Sequence, residues 1–79
     1  YATAKASLFP NPVEDRLSLQ LSGNASCKNV EIYGIDGRLL KSQNDDFENI
    51  DVSALPTGLY IAKINLNDGA VFTEKVVVR

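Results

Sequence analysis

The sequence predicts an all-β domain, a seven-stranded immunoglobulin-like antiparallel β-sandwich, and three observations point to it. Apolar and polar residues alternate with a period of two along several runs. Clusters of Gly, Pro, Asn and Asp separate those runs at short intervals. No window of helical length carries apolar residues at a 3.6 period.

The first strand is predicted over Lys5 to Phe9. Pro10 and Pro12 have no amide hydrogen to give a sheet ladder, so the strand ends there, lies at a sheet edge, and is followed by a Pro10-Asn11-Pro12 turn. A second strand spans Arg16 to Ser22, with Leu17, Leu19 and Leu21 on one face and Ser18, Gln20 and Ser22 on the other. Gly23-Asn24 is a hairpin candidate leading to a third strand, Lys28 to Gly34, where Val30 and Ile32 alternate with Glu31 and Tyr33. Asp36-Gly37 suits a type I′ hairpin turn into a fourth strand, Arg38 to Gln43, although adjacent Leu39 and Leu40 interrupt its alternation.

Phe47 to Val52 is the fifth predicted strand. In the sixth, Gly58 to Leu66, residues Tyr60, Ala62, Ile64 and Leu66 oppose Ile61, Lys63 and Asn65; Gly58 is expected to hold a positive φ. Asp68-Gly69 repeats the type I′ signal before the last strand, Ala70 to Arg79. There Glu74 falls on the same face as Phe72, Val76 and Val78 unless a bulge intervenes.

Composition bounds the function. A 79-residue chain forms one small domain with a thin core, burying about 60% of its unfolded surface. With 44% hydrophobic and 23% charged residues it lies in the globular range, not the disordered one. The net charge of −2, with scattered Lys and Arg, argues against a nucleic-acid binder. No run approaches the roughly 18 to 20 apolar residues that a membrane helix requires. The chain begins with Tyr1 instead of Met, as expected of a processed product or an excised piece.

Catalytic chemistry is thinly supplied. Histidine is absent, and Cys27 is the single cysteine, which excludes an internal disulfide and a cysteine-based zinc site. Cys27 sits between Ser26 and Lys28 and reads as a plain small residue. Asp45, Asp46, Glu48 and Asp51 invite a calcium or glycosidase reading, yet they spread over a turn and an alternating strand, which suits a solvated face. Tyr60 fits the core face with its hydroxyl tied to backbone, and without Trp a flat sugar-binding platform is hard to assemble. No nucleophile and base pair is visible, so neither an enzyme nor a cofactor is expected.

Segments spread along the chain act jointly. Pro10, Asn11 and Pro12 come first; Val30, Ile32, Tyr33, Asp36, Gly37 and Leu40 follow. Then come Ile50, Asp51, Val52, Ser53, Leu55, Gly58 and Tyr60, and finally Lys75, Val76, Val77, Val78 and Arg79. In content and order they resemble the C-terminal sorting domain of the type IX (Por) secretion system of Bacteroidota.

The resemblance implies a folded address. An upstream cargo in the same chain reaches the periplasm by its own signal, the outer-membrane translocon reads the domain through Lys75 to Arg79, and a sortase-like peptidase removes it at the cell surface. Residues 1–7 would then be a linker with the cleavage region, cut ahead of Lys5, and residues 8–79 the sorting domain. The alternative is an immunoglobulin-like spacer or adhesion module of a surface protein. An address is expected to end at Arg79, whereas a spacer tolerates following sequence.

Overall fold

The computed structural model describes residues 6–10, 12–22 and 26–79. Among them run seven strands: β1 (Ala6–Phe9), β2 (Arg16–Leu21), β3 (Cys27–Gly34), β4 (Leu39–Gln43), β5 (Ile50–Asp51), β6 (Gly58–Leu66) and β7 (Val71–Val78). They form two antiparallel sheets, one of three strands ordered β1-β2-β5 and one of four ordered β4-β3-β6-β7. β1 therefore occupies an edge, as its two following prolines require. Among the described residues no helix is long and apolar enough to cross a membrane.

Period-two alternation becomes burial. In β6, Tyr60, Ala62, Ile64 and Leu66 are buried while Ile61, Lys63 and Asn65 are half-exposed on the other side. Val30 and Ile32 of β3, Val76 and Val78 of β7, and Leu8, Leu17 and Ile50 of the smaller sheet join them in one core. No polar or charged residue is buried within it among the described residues. Val13 and Val52, outside the strands, are also fully buried and seal its ends.

The irregular positions have local causes. Between β3 and β4 the register shifts: Ile32 pairs with Lys41 but Tyr33 with Leu39, which leaves Leu40 as an extra bulged residue. The bulge accommodates the Leu39-Leu40 doublet, with both side chains about half exposed. The predicted strand Phe47 to Val52 shortens to β5. The Asn49 amide turns back to the Asp46 carbonyl (3.0 Å), so before β5 begins the segment meets β2 through Leu19 N to Phe47 O (2.8 Å) and the Ser18 hydroxyl to Glu48 O (2.8 Å).

Three turn expectations need correction. Asp36 and Asp68 do not adopt the positive φ that type I′ demands; only Gly37 (87°) and Gly69 (93°) do. In each loop the glycine amide donates to the carbonyl three residues back, Gly37 to Gly34 (3.0 Å) and Gly69 to Leu66 (3.1 Å). The first strand's last residue is closed by Gly34 N to Arg38 O (2.9 Å) and Leu66 N to Ala70 O (2.9 Å). These are three-residue hairpin loops, a type I turn followed by a left-handed glycine. The aspartate contributes as an acceptor, since Asp36 takes the Arg38 amide (3.1 Å) and Asp68 the Ala70 amide (2.9 Å).

Gly23-Asn24 lies outside the described residues; β2 and β3, on either side of it, belong to different sheets. Gly58 does not hold a positive φ either. It opens β6 in extended pairing with Val78, and a Cβ there would meet only Tyr60 Cε1 at 3.9 Å.

Alanine at Gly37 or Gly69 should each cost about 1–2 kcal/mol, because an L side chain is strained at that φ. A Cβ at either position meets nothing within 4 Å, so the cost is conformational alone. Gly58→Ala should stay within about 0.5 kcal/mol of the parent. Urea unfolding of the three variants checks the ranking; a Gly58→Ala loss equal to the other two would contradict it.

Candidate functional site

The motif segments converge on one end of the molecule around β7. Gly58 pairs with Val78 and Tyr60 with Val76 across the β6–β7 ladder, while Gly34, which opens the Asp36-Gly37 turn, pairs with Tyr60 on the other side of β6. The turn at Pro10 and Pro12, entered through a cis Phe9–Pro10 bond, delivers Val13 to the edge of β7 away from β6; Asn11 lies outside the described residues. There Val13 donates its amide to Val77 O (2.8 Å) and accepts the Arg79 amide (2.8 Å). This parallel bridge clasps the strand's last residues between β6 and Val13.

The clasp orders Lys75 to Arg79 by face. Val76 and Val78 are buried, whereas Lys75, Val77 and Arg79 are exposed. The alternation follows from the strand's period of two: docking valines point one way and the remaining three residues the other.

Tyr60 sits at the start of β6 almost fully buried, and its hydroxyl donates to the Pro56 carbonyl four residues upstream. That bond satisfies the one polar atom of a core side chain and fixes the segment Ala54 to Thr57 against the sheet. Asp51 shapes the same connection by accepting the Ser53 amide (2.9 Å). Hydrogen bonding from the Ser53 side chain and then its amide, helped by Lys41 and Arg16, holds the Asp51 carboxyl below its usual range against a small opposing effect of burial.

Glu74 explains its place on the core face. There is no bulge in β7; the carboxylate instead reaches across to β1 and accepts the Leu8 amide at 2.8 Å. An edge strand has outward amides without partners, and this side chain satisfies one of them while joining the two sheets. Its signal in the sequence was the broken apolar pattern; Val13 left no such trace, since one valine after a proline turn announces no pairing.

Other candidates have structural roles. The Cys27 thiol is half-buried, contacts Asn29 O (3.3 Å) and Asn65 O (3.6 Å), and burial pushes its pKa up, away from thiolate chemistry. The acidic loop is held by Gln43, whose side-chain amide donates to Asp45 O (2.9 Å), Asp46 O (2.6 Å) and Asn49 O (3.2 Å). Among the described residues no three His, Cys, Asp or Glu side chains converge as metal ligands.

Glu74→Ala strands the Leu8 amide and should cost about 1–2 kcal/mol, the range for losing a hydrogen bond to a charged group at a partly buried site. Glu74→Gln, which keeps an acceptor, should lose less; thermal unfolding of the pair checks this, and parental stability in Glu74→Ala contradicts it. Because the folded pKa of Asp51 is depressed, its contribution is present above the ordinary aspartate range and disappears as pH falls through the lower folded value. The acid limb of a Tm–pH profile should therefore be shallower in Asp51→Asn than in the parent. Superimposable limbs would show that Asp51 is not linked to folding.

A family described as "Secretion system C-terminal sorting domain" matches residues 7–79. The chain is also 28% identical over 78 residues to the protein "Ulvan lyase NLR42" of Nonlabens ulvanivorans, covering 95% of this chain and 14% of that protein. Against "Beta-agarase D" of Zobellia galactanivorans it is 28% identical over 76 residues, covering 96% of this chain and 15% of the relative. The chain thus spans about one-seventh of the length of these relatives. No solved structure matches it significantly. With nearly its whole length matched, the chain belongs to the C-terminal sorting domains of the type IX secretion system, a non-catalytic secretion signal of secreted and surface proteins.

Proposed function

We propose that the clasped end of β7 is the part of the address that the translocon reads. The observation that carries this is the division of Lys75 to Arg79 into buried Val76 and Val78 and exposed Lys75, Val77 and Arg79, held in place by Val13. Two buried valines fix the strand's height and register, so the outward residues meet a partner in one geometry, and the ordering entropy is lost on folding instead of on binding. Pro10 and Pro12 then serve the site by delivering Val13, while Asp36, Gly37, Gly58 and Tyr60 frame it.

The two sheets are read as an immunoglobulin-like sandwich. The strand orders β1-β2-β5 and β4-β3-β6-β7 support it, as does the tyrosine corner formed by Tyr60 near the start of β6. Residues 1–7 act as the linker to an upstream cargo, and residues 8–79 as the sorting domain. A sortase-like peptidase cuts ahead of Lys5 and frees the cargo for surface attachment. The 14% and 15% coverage of the ulvan lyase and the agarase supports a small address serving a much larger cargo.

Truncating Lys75 to Arg79 in the whole protein should leave cargo in the periplasm, since it removes Val76 and Val78 from the core together with the outward residues. Lys75→Gln with Arg79→Gln should keep the fold, as exposed charges contribute under about 1 kcal/mol, and lower export if charge is read. Fractionation followed by mass spectrometry measures both, and processed surface cargo should lack Leu17 to Arg79. Normal surface yield of the truncated protein would favour the spacer or adhesion reading instead.

A further inference from the structure

The outer face of the four-stranded sheet carries an apolar stripe that no packing inside the domain requires. Residues opposite one another in an antiparallel ladder share a face, so Leu39, Tyr33, Ile61 and Lys75 form one transverse row and Leu59 and Val77 the next. Their sequence neighbours Ile32, Tyr60, Ala62, Val76 and Val78 are the core, which puts this row on the opposite, outward side. Leu39, Leu59 and Val77 are 48%, 44% and 39% exposed, and Tyr33 and Ile61 are half-buried between them. A shallow depression lined by Ile61, Thr73, Glu74 and Lys75 borders the stripe. Single exposed apolar residues are ordinary, but contiguous ones across three or four strands mark an interaction surface.

The charge on this face is the reverse of the chain's. Lys75 lies in the apolar row and Lys63 in the row beside it, opposite Glu31. The Glu31 Oε1 accepts the Asn65 side-chain amide at 2.9 Å, and desolvation followed by the negative charge of Glu31 pushes the Tyr33 phenol up. Two lysines against the one carboxylate of Glu31 leave these rows with a net positive sign, in a chain whose net charge is −2.

We infer that this face is a second docking surface, separate from the end of β7 though continuous with it through Val77, and that its occupant is a protein surface with an apolar centre bordered by carboxylates. Apolar contact at the centre with opposite charges at the rim is the ordinary anatomy of a specific protein interface. An anionic membrane suits the face less well, because the apolar side chains lie flush on a sheet, with no Trp and few lysines to insert and hold it. The inference rests on the reading of the domain as a secretion address, and it widens the surface that the translocon grips from one strand end to a sheet face.

The test uses the whole protein in its secreting cell, with Leu39→Gln plus Leu59→Gln, and separately Lys63→Glu; purified variants must keep the parental circular dichroism and melting temperature within a few degrees. Each should lower the ratio of surface to periplasmic cargo roughly ten-fold, the scale expected when one buried leucine or one rim charge pair is lost from an interface. Normal export of both, alongside a periplasmic block in the Lys75 to Arg79 truncation, overturns the second surface and leaves the address standing. Normal export of Arg79→Gln, which lies outside these two rows, together with loss in the face variants favours the face over the strand end. Two solution measurements decide the occupant. A parent that sediments as a dimer and a Leu39→Gln, Leu59→Gln variant that sediments as a monomer would assign the face to a second copy and overturn the proposal. Parent-specific co-sedimentation with vesicles of anionic phospholipid would assign it to a membrane, and would overturn it likewise.

Discussion

Two backbone hydrogen bonds, Val13 N to Val77 O and Arg79 N to Val13 O, hold the end of the chain in a sheet. A terminal strand paired on one side only has an open ladder edge, and its final residues fray because each loses little by leaving. Val13 closes that edge where fraying would begin. It is itself fully buried, so the same residue that makes the hydrogen bonds also seals the core beneath Val78. The rest of the design follows from it: the prolines that stop β1 and turn the chain, the cis bond at Pro10, and the glycine that starts β6 opposite Val78.

The second constraint is the seam between the sheets. Leu8 and Glu74 join β1, the first strand of the smaller sheet, to β7, the edge strand of the larger one. The two ends of the domain are therefore coupled through one carboxylate and one valine. Pulling β1 away would expose the Leu8 amide and the Glu74 carboxylate and loosen the edge of β7 together, and an uncompensated polar group at a partly buried seam is costly.

Much of this was legible in the chain. Period-two runs located β2, β3 and β6, since a half-buried strand imprints its faces directly on side-chain type; the alternation in Leu17 to Leu21 and in Tyr60 to Leu66 is unambiguous. Tyr60 declared its hydroxyl bond because a buried phenol needs an acceptor. What failed had non-local causes. Asp-Gly favours type I′ in isolation, but a three-residue loop needs positive φ at glycine alone, and loop length depends on the pairing of both strands. The positive φ expected of Gly58 is absent because its backbone is extended and paired with Val78, twenty residues on. The Val13 clasp could not be read at all, because pairing at a single residue leaves no period in the sequence. Of the site, Lys75 to Arg79 and their facing were legible, and Val13 and the partner of Glu74 were not.

The central claim is that the chain's last residues are held in fixed register instead of trailing free. Native-state amide hydrogen exchange at Arg79 tests it most directly, because that amide is a ladder donor to Val13 and nothing else. The account predicts that the Arg79 and Val13 amides exchange slowly, with opening free energies approaching that of Val76 in the core of β7. Exchange of Arg79 at the rate of an unstructured terminus, with Val76 still protected, would contradict it.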